Sequence, residues 1–181
     1  DGAVKRIQID VCDGKFVKST SWPFTEYSKT DFEKLGKKNN FDVCLPLWES
    51  LNYSVDLMVE NPEKYIETFS MYGIDEIIIH FRTITDNWEK ILELALHFDL
   101  GLYLAVDVQS DIKKFLDFVK ENEDKIKGVQ VMGIEKIGFQ GQEFAQESLE
   151  IVSAIKEKFS GLRVMFDGGI NEDTIENIRD A

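Results

Sequence analysis

Six short apolar runs, separated by segments of helical period, leave this chain few folds to choose from. The runs are Val4–Val11, Ser54–Val59, Glu76–Phe81, Gly101–Val106, Gly128–Ile134 and Leu162–Phe166. A run that is apolar on both faces has no side to offer water, so it belongs in a parallel sheet covered by helices. Helical patterns fall at Asp31–Lys38, Pro62–Tyr72, Asn87–Phe98, Asp111–Asn122, Phe144–Phe159 and Glu172–Asp180. Asn61 stands before Pro62, Asp86 before Asn87, Ser110 before Asp111 and Asn171 before Glu172, residue types that open helices. The stretches 20–31 and 41–52 have no clear period; the second has room for a short extra strand or a loop. The alternation is an α/β architecture, either an open doubly wound sheet or a (β/α) barrel. A dinucleotide-binding sheet needs a glycine fingerprint after its first strand, and Asp13-Gly14-Lys15-Phe16 does not provide one. Polar residues stand at or near the ends of several strands: Asp10, Asp56, His80, Asp107 and Asp167. Carboxylates converging at the C-terminal ends of parallel strands are how a TIM barrel builds its site, which favours the barrel.

Composition bounds the partners. The 181 residues suit one domain over 1–181, with 43% hydrophobic residues to form its core. Lys and Arg total 21 against 34 Asp and Glu, a net charge of −13. No basic stripe is available to neutralise phosphates, so neither nucleic acid nor an anionic membrane surface is the main partner. No run nears the ~18 apolar residues of a membrane span, and no basic-then-apolar leader opens the chain. Cys12 and Cys44 lie outside any C-x-x-C pair and read as two buried thiols in a reducing compartment, so the cytoplasm is expected.

The first strand, Arg6-Ile7-Gln8-Ile9-Asp10-Val11-Cys12, alternates so that Gln8, Asp10 and Cys12 share one face. An inward Asp costs several kcal/mol unless it is paired, protonated or holding a metal. The last strand repeats the device, with Met165 and Asp167 on one face and Gly168-Gly169 following. Glycines there permit close approach of a ligand, and amides at a helix start suit a phosphate. Capping of strands or turns is the plainer role open to Asp10 and Asp167. His80 reads as a satisfied strand-end histidine, with an approach to the site as the sharper alternative, and His97 as an ordinary helix residue.

Four blocks resemble the ribulose-phosphate 3-epimerase family. Ile9-Asp10-Val11-Cys12-Asp13-Gly14-Lys15-Phe16-Val17 is similar to its H-x-D-V-M-D-G-x-F-V, and Asp56-Leu57-Met58-Val59-Glu60-Asn61-Pro62-Glu63-Lys64-Tyr65 to its H-L-M-V-x-N-P-E-x-Y. Gly138-Phe139-Gln140-Gly141-Gln142-Glu143-Phe144 resembles its phosphate loop, G-F-G-G-Q-x-F, and Phe166-Asp167-Gly168-Gly169-Ile170 its V-D-G-G-I. The resemblance implies a ribulose-phosphate-binding TIM barrel that interconverts ribulose 5-phosphate and xylulose 5-phosphate in the pentose phosphate pathway. It implies Asp10 and Asp167 as the acid–base pair at C3 of a phosphorylated ketose. It also implies a divalent metal (Mg, Mn, Fe or Zn) on Gln8, Asp10, Asp56 and Asp167. Gly138, Phe139, Gln140, Gly141, Gly168 and Gly169 would contact the phosphate. Met58 and Met132, with Met165, would line the site, core filler being the equal alternative for these methionines.

The chain departs from that pattern in three ways. Gln8 and Asp56 stand where the family has histidines, so the ligand set becomes oxygen-rich and suits Mg or Mn better than Zn. Glu135-Lys136-Ile137 replaces the N-P-G before the phosphate loop, with one extra residue, and Gln140 replaces a loop glycine. The family's first and eighth strands have no counterpart, so about six βα units of an incomplete barrel are expected. Two bare parallel edges invite pairing, which leaves a homo-oligomer open. A homologue impaired in catalysis that binds a phosphorylated ligand or a protein partner is the competing expectation. A hexulose-phosphate lyase or synthase ranks last, because no strand carries the Asp-x-Lys pair.

Overall fold

The computed structural model describes residues 4–28 and 45–181, so the helix expected at Asp31–Lys38 and the thiol of Cys44 lie outside the described residues. The strands are β1 (Arg6–Cys12), β2 (Asn52–Met58), β3 (Glu76–His80), β4 (Gly101–Val106), β5 (Gly128–Met132) and β6 (Arg163–Asp167). They form a six-stranded sheet in the order β1-β2-β3-β4-β5-β6. The pairings of β1 with β2, β2 with β3, β4 with β5 and β5 with β6 are parallel. Between and after the strands come α1 (Ile66–Ser70), α2 (Trp88–His97), α3 (Ile112–Asn122), α4 (Glu147–Lys158) and α5 (Ile175–Asp180). A doubly wound sheet reverses its strand order at a switch point. Here spatial order follows chain order without reversal, the winding of a (β/α) TIM barrel, with six strands among the described residues where a closed barrel has eight.

Each helix starts where local hydrogen bonding allows, which shortens the expected segments. After Asn61 the chain makes a 3₁₀ turn, Pro62–Lys64, in which Tyr65 N donates to Pro62 O at 3.0 Å; α1 follows, and Asn61 makes no side-chain cap. The cap of α3 is Asp111 rather than Ser110: the Asp111 carboxylate accepts from Lys114 N at 3.1 Å, which holds its pKa below the usual range. The Ser110 hydroxyl turns back to Asp107 Oδ1 at 3.0 Å. Phe144 bridges to Ile134, so α4 begins only at Glu147. Asn171 accepts from the amides of Asp173 and Thr174, a turn that delays α5 to Ile175.

The chain packs as two compact units, one within residues 1–79 and 83–102, the other of residues 80–82 and 103–181. In the first, Val55, Leu57, Ile66, Ile77, Ile78, Ile79 and Ile91 are fully buried. Trp22, in the stretch 20–31 that has no clear period, stands edge-on to Phe69 and Tyr72, at centroid distances of 6.0 and 5.4 Å. In the second, Phe115, Val119, Val129, Val131 and Ile155 are fully buried. Phe115 meets the Phe81 ring edge-on at 5.3 Å. β2 to β5 are buried along almost their whole length, whereas β1 and β6, which end the row of described strands, are half-buried. No helix among the described residues is long and apolar enough to cross a membrane.

Candidate active site

Parallel pairing sets the strand-end residues in rows. Gln8 lies opposite Ser54, Asp10 opposite Asp56, and Cys12 opposite Met58. On the other pair, Gln130 lies opposite Met165 and Met132 opposite Asp167. Because side chains alternate along a strand, each row continues the face of the one before it. Carboxylate oxygens of Asp10 and Asp56, partners across β1 and β2, lie within 4.8 Å of each other, a pairing able to take part in holding a metal ion. Asp56 is fully buried, and Asp10 is half-buried, as is Asp167 at the end of β6. Two carboxylates this close repel unless one is protonated or a cation sits between them. All the donors are oxygens, which fits a hard divalent cation better than a thiophilic one. Gln8 belongs to the same group: its Nε2 donates to Asp10 Oδ1 at 3.1 Å.

Neighbouring groups hold the row in place. The Ser21 hydroxyl donates to Asp10 O at 2.6 Å and accepts from Cys12 N at 2.9 Å, pinning the backbone on both sides of Val11. Asp13 accepts from the amides of Lys15, Phe16 and Glu60 at 2.8–3.0 Å, fastening the end of β1 to the end of β2. Ser21 had no sequence signal, but the Asp13-Gly14 turn did: an Asx turn at a strand end, with Gly14 at φ +76°. Burial pushes the Cys12 thiol pKa up, the nearby Ser19 and Ser21 hydroxyls oppose this, and the charges of Asp10 and Asp56 add to it. Its sulfur lies 4.0 Å from Met58 Sδ.

Two strand-end residues have other surroundings. Asp107 is 2% exposed; its Oδ1 accepts from Gln109 N and Ser110 Oγ, both at 3.0 Å, and its Oδ2 faces Arg82 Nη1 at 3.4 Å. Gln109 completes this latch by accepting from Arg82 and donating to Glu135 O at 3.1 Å. His80 is buried at the end of β3.

The family model for the ribulose-phosphate 3 epimerase family matches residues 1–181. The chain belongs to this family. Curated relatives named ribulose-phosphate 3-epimerase agree. The one from Eremothecium gossypii is 27% identical over 177 residues, 97% of this chain and 69% of its own length. The one from Aquifex aeolicus is 31% identical over 133 residues, 71% of this chain and 57% of its own length. A rice protein, named as the cytoplasmic isoform, is 29% identical over 120 residues, 66% of this chain and 52% of its own. The chain thus spans roughly half to two thirds of the length of these relatives.

Within this epimerase-family chain, the two glycine blocks have different surroundings. A Cβ on Gly168 would meet Ile134 at 3.0 Å, and one on Gly169 would meet Gly133 O and Phe144 at 3.0 Å. Both have φ in the left-handed range, +90° and +69°, so a side chain is disfavoured there by backbone as well as by space. Their bareness therefore serves close packing of the chain on itself. The loop Gly138–Gly141 is open instead: Phe139 is 43% exposed and a Cβ on Gly141 would meet nothing within 4 Å. Gly138 and Gly141 also have positive φ, at +83° and +69°. Met58 and Met132 are both buried, and Gln130 Nε2 lies 3.5 Å from Met132 Sδ.

Proposed function

We propose that this protein interconverts ribulose 5-phosphate and xylulose 5-phosphate by moving a proton at C3. The observation that carries the reading is the pairing of the Asp10 and Asp56 carboxylates at the ends of β1 and β2, with Asp167 ending β6, in a chain of this family. One of Asp10 and Asp167 takes the C3 proton and the other returns a proton to the opposite face. A base needs a carboxylate and an acid a neutral carboxyl, and near neighbours of like charge drive two such groups apart in pKa. Asp10, Asp56 and Asp167, with the Gln8 carboxamide oxygen beside them, would hold a divalent cation. Such an ion supplies positive charge to the oxyanion that develops as the proton leaves. Amides of Gly138–Gly141 and of Gly168-Gly169 bind the phosphate, with Phe139 and Gln140 beside it and Met58 and Met132 lining the carbon chain. A single domain carries this site, and the cytoplasm is its compartment, as in the relative named for it.

The test is exchange of the C3 proton of ribulose 5-phosphate in heavy water, followed by NMR with and without Mn²⁺ or Mg²⁺. Exchange that depends on the ion and is lost in Asp10→Asn and in Asp167→Asn is the expected result. No exchange from a folded sample with either ion refutes the reading. Binding of a phosphorylated ketose without turnover would then describe the protein.

A further inference from the structure

Gln8 stands two residues before Asp10 on the same face of β1, and its side-chain Nε2 donates to Asp10 Oδ1 at 3.1 Å. We propose that Gln8 is a positioning residue for Asp10: its carboxamide N–H fixes the orientation of the carboxylate that exchanges the C3 proton. The inference rests on the proton-transfer reading above and assigns Gln8 a task distinct from ligating a metal.

Three observations lead to it. First, the contact with Asp10 is made by the carboxamide nitrogen, which only donates, so it is independent of the carboxamide oxygen proposed above to face the cation. Second, Asp10 stands opposite the Asp56 carboxylate, where a neutral donor can hold its orientation without adding charge of either sign. A glutamate in its place would add a further carboxylate, and a lysine would add a full positive charge. Third, the backbone of Asp10 is already fastened, since its carbonyl accepts from Ser21 Oγ at 2.6 Å. The Gln8 contact acts on the carboxylate itself and restrains its rotation. Strand geometry makes the pair durable, because residues two apart on one strand project from the same face at nearly fixed separation.

The decisive comparison is Gln8→Glu against Gln8→Met. Glutamate keeps the length and the oxygen ligands but removes the N–H donor. Methionine removes donor and ligand together. A positioning role predicts that Gln8→Glu lowers kcat for C3 exchange by about 10- to 100-fold, the value of one hydrogen bond to a charged group. KM should stay within roughly threefold, and Mn²⁺ affinity, read by electron paramagnetic resonance, should be unchanged or tighter. Gln8→Met should lose kcat to a similar extent. A Gln8→Glu protein that keeps wild-type kcat overturns the proposal. Independently of activity, the Gln8 side-chain amide protons should move upfield in Asp10→Ala, and a resonance that does not move also overturns it. If the wild-type protein exchanges no C3 proton, the functional reading fails. If it does and Gln8→Glu is equally fast, the positioning role alone fails.

Discussion

Gly133→Ala tests whether close packing at the end of β5 sets the position of Asp167. Gly133 N donates to Asp167 O at 2.7 Å, and Gly133 O accepts from Ala145 N at 2.8 Å, so this residue is held from both sides. A Cβ added there would lie 2.2 Å from Phe166 Cε1 and 2.4 Å from Gly168 O. The Phe166 ring is backed by Phe144 at 5.9 Å between centroids, and the second neighbour is a backbone carbonyl, so neither yields cheaply. Reaching ordinary contact from 2.4 Å requires a displacement of about 1 Å. Overpacking of this kind costs about 1–3 kcal/mol, or roughly 2–12 °C in Tm for a domain of this size. Because the strain falls on the two residues flanking Asp167, a shift of about 1 Å there should also lower the exchange rate by roughly 100-fold. Thermal melts and the C3 exchange assay read the two effects separately. Gly161→Ala is the control, since a Cβ there meets nothing within 4 Å; it should melt within about 1 kcal/mol of wild type. A Gly133→Ala protein that melts and exchanges like wild type would refute the packing argument.

Asp107→Asn keeps the acceptor used by Gln109 and Ser110 but removes the charge facing Arg82; urea denaturation should show a loss of about 1.5–3 kcal/mol, and no loss would mean that the latch adds nothing. Mn²⁺ at a hundred times its Kd should stabilise the protein by about 2.7 kcal/mol, with the gain abolished in Asp56→Ala; an equal gain in that variant would remove Asp56 from the ion's ligands. The Cys12 thiol, its pKa raised chiefly by burial, should resist iodoacetamide in a Cys44→Ser background until the pH exceeds the ordinary thiol range. The sign follows from the same shift: stability that depends on the neutral thiol is full below the unfolded pKa and is lost as pH rises through the folded one. Prompt alkylation near neutral pH would contradict it. Phe115→Ala, which empties a fully buried position against Phe81, should cost about 3–5 kcal/mol in the same denaturation experiment.

Much of this molecule is legible one segment at a time. Continuous apolar runs such as Glu76–Phe81 can satisfy their backbone and bury both faces in a parallel sheet, and β3 forms there. Asp10, Asp56 and Asp167 stand out because a carboxylate ending an apolar strand is costly without a purpose, and the strand register sets Asp10 opposite Asp56. Asp107 carries the same local signal but faces Arg82, Gln109 and Ser110 instead. No periodicity within β4 could reveal this, because Arg82 arrives from the end of β3. The helix starts were blurred for a similar reason: Ser110 and Asp111 are equally good caps in isolation, and the bond from Ser110 to Asp107 decides between them.

What the sequence determined by itself was therefore the alternation of strands and helices, the chain-order winding it permits, and the residue types at the strand ends. Those follow from apolar spacing and side-chain chemistry, which act over a few residues. The tertiary structure alone decided that Asp10 stands opposite Asp56, that Gln8 donates to Asp10, and that Gly168 and Gly169 are bare for the sake of Ile134, Gly133 and Phe144. Each of these depends on the register between strands or on how a loop folds back over a strand end. Register and loop closure are set by packing across the whole sheet, which no local pattern encodes.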